Sequence, residues 1–116
     1  MKHLKKNRKF GRQADYRNAF LMNLVSSLIL KERIRTTEAR AKEIKTIIEK
    51  IITRAKIDNL SNRRLLLKKL NLKSVNKLFK DLSPRFKRRR GGYSRIVKLE
   101  SRKNDGAKMV IIEIIK

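Results

Sequence analysis

The chain has 116 residues, with thirty-four Lys and Arg against ten Asp and Glu, a formal net charge of +24 at pH 7. That length suits one domain burying about two-thirds of the surface its unfolded chain exposes, and a hydrophobic content of 40% excludes disorder throughout. The absence of cysteine excludes disulfides, thiolate metal sites and cysteine nucleophiles, and no stretch reaches the roughly 18 apolar residues of a membrane span.

Residues 1–12 read as a basic N-terminal arm holding Lys2, Lys5, Lys6, Arg8, Lys9 and Arg12 with no acid. They show neither helical nor strand periodicity, so the arm is expected to be disordered in isolation. A solubilising tail would have this composition too. Phe10, able to stack on a base, and Gly11, which lets backbone approach phosphate, favour a binding arm. His3, the only histidine, is a candidate phosphate contact. No apolar stretch with a small-residue cleavage site follows the arm directly, so no secretory signal is expected and a cytoplasmic location is the default.

Residues 13–116 read as a single α+β RNA-binding domain. From Asp15, a candidate N-cap, to about Leu30 the spacing predicts a central helix, with Leu21, Leu24, Val25 and Leu28 on one stripe widened by Phe20 and Ile29. Lys31-Glu32-Arg33 closes it, and Ile34-Arg35-Thr36-Thr37 is short and β-prone, an expected edge strand. Thr36 or Thr37 then caps a helix carrying Ile44, Ile47, Ile48, Ile51, Ile52 and Ala55 at i, i+3, i+4, i+7, i+8, i+11. So many β-branched residues are poor for helix propensity, so packing decides, and this helix is expected to lie on a sheet. Glu38 favours its first turn and pairs with Lys42 at i+4. Asp58-Asn59 breaks it.

Ser61 is a candidate cap for a short helix with Leu65, Leu66, Leu67 and Leu70 as core, and with Arg63, Arg64, Lys68 and Lys69 on or near its polar side. Asn71 or Ser74 starts another through Val75, Leu78, Phe79 and Leu82, which Ser83-Pro84 stops. The densest charge follows: Arg85, Lys87, Arg88, Arg89 and Arg90 surround Phe86 and precede Gly91-Gly92-Tyr93. A solvated loop is one reading. Adjacent cations without an acid are better accommodated between phosphates, and the glycine pair permits close approach and unusual φ. It lacks the context of a nucleotide fingerprint. Tyr93 to Leu99 and Lys108 to Ile115 then form an expected hairpin around Asn104-Asp105-Gly106, the second strand central or well covered.

These elements give an α+β fold of about four helices on a small sheet made of a short edge strand and a C-terminal β-hairpin. Enzyme chemistry finds little support, because the acids are scattered singly and those on the isoleucine helix, Glu38, Glu43 and Glu49, suit a charged surface. Glu113 is the one acid in an apolar setting, and an edge or outward position is expected for it rather than a buried catalytic one. A small basic ribonuclease and a sequence-independent DNA-compacting protein are the alternatives. Basic arms and loops around a fold, rather than one recognition helix, lean toward folded RNA. Duplex nucleic acid carries about one charge per 1.7 Å of axis, and each neutralised phosphate releases a counterion, which suits so large a cation excess.

Met1-Lys2-His3, Gly11-Arg12, Arg17-x-Ala19 and Asn23-Leu24-Val25-x-Ser27-Leu28 resemble the bacterial large-subunit ribosomal protein seventeen family. So does Ile34-Arg35-Thr36-Thr37-x-x-Arg40-Ala41-Lys42-Glu43, the most specific run. Ile52-Thr53-x-Ala55-Lys56, Asn62-Arg63-Arg64, Leu78-Phe79 and Arg90-Gly91-Gly92-Tyr93-x-Arg95-Ile96 continue it in order across the chain. The resemblance implies a structural constituent of the large ribosomal subunit, without catalysis or cofactor. It implies a protein bound to large-subunit ribosomal RNA beside other ribosomal proteins near the polypeptide exit, with helices on a small mixed sheet. The family's Ser-x-His-Arg run is replaced here by Ala14-Asp15-Tyr16-Arg17, so Tyr16 offers a ring and a hydroxyl where the family has an imidazole. The expected contacts are the arm and residues 85–95, supported by Arg17, Arg63, Arg64, Lys68 and Lys69. Phe10 and Tyr16 are candidates for stacking, while Phe86 and Tyr93 fit either stacking or the core.

Overall fold

A computed structural model describes residues 14–116, with side chains from Tyr16 onward. The arm and its candidates, His3 and Phe10 included, lie outside the described residues. Helix α1 spans Ala14–Lys31, strand β1 Arg33–Thr37 and helix α2 Glu38–Ala55. Helix α3 is Leu60–Leu67; helix α4 begins at Leu72–Lys77, passes through a π turn at Leu78–Leu82 and ends in Ser83–Arg85. Strands β2, Ser94–Lys98, and β3, Met109–Ile114, follow.

The three strands form one sheet in the order β1-β3-β2, and β3 pairs antiparallel with both neighbours, Ile34 and Ile96 each opposite Ile112. β1 and β2 therefore run in the same direction but never meet. The sheet is antiparallel throughout rather than mixed as the resemblance implied, because the most apolar strand takes the centre. α2 lies on one face, where Ile44, Ile48 and Ile52 are fully buried with Val110 and Ile112. Val25, Leu28 and Ile29 of α1 and Val75, Leu78 and Leu82 of the α4 run complete the core. Each buried aliphatic side chain contributes roughly 1.5–3 kcal/mol.

The caps sharpen the sequence reading. Thr37 caps α2, its hydroxyl accepting from the Arg40 amide at 3.4 Å. Asn59, not Ser61, caps α3 by accepting the Asn62 amide at 2.8 Å, and Asn71 caps α4 through the Ser74 amide at 2.8 Å. Asparagine's carbonyl reaches the N3 amide from an extended backbone, and both residues hold that conformation. α1 starts at Ala14, so Asp15 falls inside its first turn. Leu66 and Leu70 are buried, but Leu65 and Leu67 are exposed, because a single short helix offers the core only one stripe. The α4 run also continues past Ser83-Pro84. The Ser83 amide donates to the Leu78 carbonyl, five residues back, and this wide turn accommodates the proline.

Glu32 joins three elements. It closes α1 with φ +63°, a left-handed conformation that costs a non-glycine residue about 1–2 kcal/mol. Its carbonyl accepts the Ile114 amide at 2.8 Å, and its carboxylate pairs with Lys77 at 3.0 Å and with Arg85. Lys77 also donates to the Leu30 carbonyl at 2.9 Å, closing the helix end. The Arg85 hydrogen bond, with help from Lys77, holds the Glu32 carboxyl down to about 2 from its ordinary 4.5.

This shift predicts a pH-dependent contribution to stability. Above about pH 4.5 the carboxylate is charged folded and unfolded, and the pairing is fully present; as pH falls toward 2 the unfolded chain binds the proton first and the contribution is lost. Glu32→Gln is expected to cost on the order of 2 kcal/mol at pH 7, allowing for solvent screening. In denaturant unfolding, the gap between the variant and the natural chain should stay constant from neutral pH to about 5 and close near 2.

Candidate nucleic-acid interface

The basic segment after α4 is a loop clamped at both ends. Phe86 and Tyr93 are 2% and 0% exposed, with ring centroids 5.1 Å apart, so both belong to the core and neither is available to stack on a base. Their burial resolves the alternative left open by the sequence. The Arg89 amide donates to the Phe86 carbonyl at 3.0 Å, turning the chain back. Between the two rings, Lys87, Arg88, Arg89, Arg90, Gly91 and Gly92 are exposed.

Tyr93 is tied on every side. Its hydroxyl donates to the Arg89 carbonyl at 3.2 Å, and Thr53 donates to that hydroxyl at 3.4 Å. The Lys56 ammonium, 4.7 Å from the Tyr93 ring centroid, donates to the same Arg89 carbonyl. The Tyr93 carbonyl accepts the Ile115 amide at 2.8 Å. Glu49 completes the clamp: its carboxylate accepts the Tyr93 amide at 3.1 Å, the Ser94 amide at 3.1 Å and the Ser94 hydroxyl at 2.9 Å. Gly92 supplies the turn into β2 with φ +65°, which side-chain-bearing residues rarely adopt.

Glu49 and Lys56 were not legible as loop supports. Glu49 looks like one more surface charge, and only its place beside Ile48, at the border of the buried stripe, hints otherwise. Its fixed position lets three donors meet one carboxylate, so the loop backbone is held before any ligand arrives.

Not every predicted cation is equally free. Arg85 pairs with Glu32 and, at 3.1 Å, with Asp81, so it braces the base of the loop. Arg95 pairs with Glu113, which also meets Arg33 at 3.5 Å on the sheet face away from α2. Glu113 thus points outward, as expected, its carboxyl held low chiefly by Arg95. Arg63 pairs with Asp58 at 2.6 Å and lies 4.5 Å over the Phe79 ring. Arg64, Lys68 and Lys69 are exposed on or just beyond α3, Arg17 is half-buried on α1, and Tyr16 is 71% exposed. Among the described residues, no acid pairs with Lys87, Arg88, Arg89 or Arg90, no group of acids or histidines could hold a metal, and no helix is long and apolar enough to cross a membrane.

The fold and its surface define a small basic α+β protein whose acids brace the fold and whose loop cations face outward. The family described as Ribosomal protein L17 matches residues 20–115. The chain is 45% identical over 117 residues to the large ribosomal subunit protein bL17 of Pelobacter propionicus, covering 100% of this chain and 92% of that protein. It is 50% identical over 108 residues to that of Carboxydothermus hydrogenoformans, covering 92% and 96%, and 50% identical over 109 residues to that of Caldanaerobacter subterraneus, covering 93% and 97%. The chain belongs to the ribosomal protein L17 family and is a ribosomal protein, not an enzyme.

Glu49→Gln keeps the side chain's size but removes its charge and one acceptor oxygen. A cost of about 1–2 kcal/mol is expected. Amide hydrogen exchange should quicken at Tyr93 and Ser94 while Val110 and Ile112 stay protected; equal quickening everywhere would mean that Glu49 supports the whole fold and not the loop.

Proposed function

We propose that this chain is a structural constituent of the large ribosomal subunit, binding and stabilising large-subunit ribosomal RNA through its basic arm and its basic loop. Residues 1–12 act as the arm and residues 13–116 as a single RNA-binding domain. The observation that carries this reading is the loop of residues 87–92, four adjacent cations without an acid partner, held open by Tyr93 and Glu49. Such a loop gains from phosphate what it lacks inside the fold, since like charges in a clamped backbone repel until counter-charges arrive.

Phosphate contacts from Lys87, Arg88, Arg89 and Arg90, with Arg64, Lys68 and Lys69 on the flank and Lys2, Lys5, Lys6, Arg8, Lys9 and Arg12 from the arm, set position and affinity. Gly91 and Gly92 let backbone come close to the RNA, and exposed Tyr16 offers a ring to an unstacked base. The site lies beside other large-subunit proteins near the polypeptide exit, within the cytoplasmic ribosome.

Replacing Arg88, Arg89 and Arg90 by Ala tests the reading. Thermal unfolding should barely change, because these side chains are exposed. The dependence of log affinity on log salt for a large-subunit RNA fragment should flatten by roughly 0.7–0.9 for each phosphate no longer neutralised. On a sucrose gradient of cell lysate, the natural chain should travel with the large subunit at moderate salt and the triple variant should shift toward the top. A variant that binds and sediments unchanged would contradict the proposal.

A further inference from the structure

The outer side of α2 carries a feature that the arm and loop do not include. A cleft between the second half of α2 and the basic loop is lined by Lys50, Thr53, Arg54, Ile57, Arg90 and Gly91. A second cleft, between α2, α1 and α3, shares Lys50 and Arg54 with the first and reaches Lys69 over a floor that includes Met22, Ile47 and Leu65. A third shares Met22 and Lys69 with the second and ends at Asn18 and Ala19, one turn from the start of α1. Each cleft adjoins the next at the side chains they share, so the three lie in line as a track. It runs from the loop, along α2, to Asn18 and Ala19 in the first half of α1.

The track is cationic and uncompensated. Lys50, Arg54, Lys68, Lys69 and Arg90 are exposed, and none has an acid partner among the described residues. Glu49 lines the first cleft, but both its oxygens are engaged by Tyr93 and Ser94. Cations on the rim with an aliphatic floor match the chemistry of a single nucleic-acid strand, whose phosphates face the rim while riboses and bases cover the floor. A duplex would leave the floor unused. An acidic peptide would set carboxylates against the rim at a similar spacing, but its charged side chains carry no ribose or base surface to cover the apolar floor.

We propose that this track holds one strand of RNA by its sugar–phosphate backbone, with Lys50, Arg54 and Lys69 as phosphate-binding residues. The inference rests on the RNA-binding reading above and extends it from two separate basic elements to one connected surface.

The test compares two triple variants of the full chain with equal loss of charge. One is Lys50→Gln, Arg54→Gln and Lys69→Gln; the other is Lys98→Gln, Lys103→Gln and Lys108→Gln at the hairpin end of the sheet. All six positions are exposed, and unfolding curves check that both variants fold. Each is titrated with a large-subunit RNA fragment across salt concentrations and, separately, with poly-glutamate. The track variant is expected to lower the salt slope by about 2, near 0.7 per single-strand phosphate contact, and the hairpin variant by clearly less. Equal loss in both would overturn the track in favour of diffuse charge. Loss of poly-glutamate binding with RNA binding intact would overturn it in favour of an acidic protein partner. A natural chain with a flat salt slope would remove the RNA-binding reading itself, and the track with it.

Discussion

A chain with a net charge of +24 closes into one fold only where apolar contact outweighs self-repulsion. Here that contact is the seam between α2 and the central strand β3. Ile44, Ile48 and Ile52 meet Val110 and Ile112 with no solvent exposure, and the rest of the core packs on this pair. The requirement explains an otherwise poor choice of helix residues. Isoleucine disfavours a helix in isolation but fills a pleated surface well, and a seam of isoleucines on both sides joins the two. It also explains why the most apolar strand is central, since either edge would leave its backbone and one flank to water.

Few acids are available, and most of them work inside the protein. Glu32 ties the end of α1 to the α4 run, Asp81 braces Arg85, Asp58 holds Arg63, Asp105 steadies the hairpin turn through Arg102, and Glu113 bridges Arg33 and Arg95 across the sheet. Glu49 holds the end of the basic loop. Cations near these acids serve the fold; cations away from them are left to the surface. The separation of structural from available charge comes from where the acids stand. A loop of four cations would scatter its side chains if its backbone were loose, and the Glu49–Tyr93 clamp removes that freedom in advance, so less entropy is lost on binding.

Much of the fold could be read from the chain. The period of the isoleucines gave α2 and its buried face, the Thr36-Thr37 pair gave its start to within one residue, and turn chemistry around Gly106 gave the hairpin. The failures share a cause. Ser61, Asp15 and the stop at Pro84 were local readings that the fold overrode: Asn59 caps α3, Asp15 lies within the first turn of α1, and a π turn carries the helix past the proline. Leu65 and Leu67 looked like core because four leucines crowd one short helix, yet one helix face cannot bury them all. The loop was visible as charge, but its scaffold was not, because Glu49 and Tyr93 are forty-four residues apart and only the packing of α2 against β2 brings them together. Lys50 and Arg54 escaped notice for the same reason: along the chain they are ordinary helix surface, and only α3 and the loop turn that surface into a track.

The proposed RNA-facing side comprises the loop and the α2 track but not the hairpin end. Lysine acetylation of intact large subunits, compared with free protein and read by mass spectrometry, tests it most directly. Lys50, Lys69 and Lys87 should be strongly protected in the subunit, and Lys103 in the hairpin turn should stay close to its free reactivity. Equal reactivity of Lys50, Lys69 and Lys87 in both states would contradict the account.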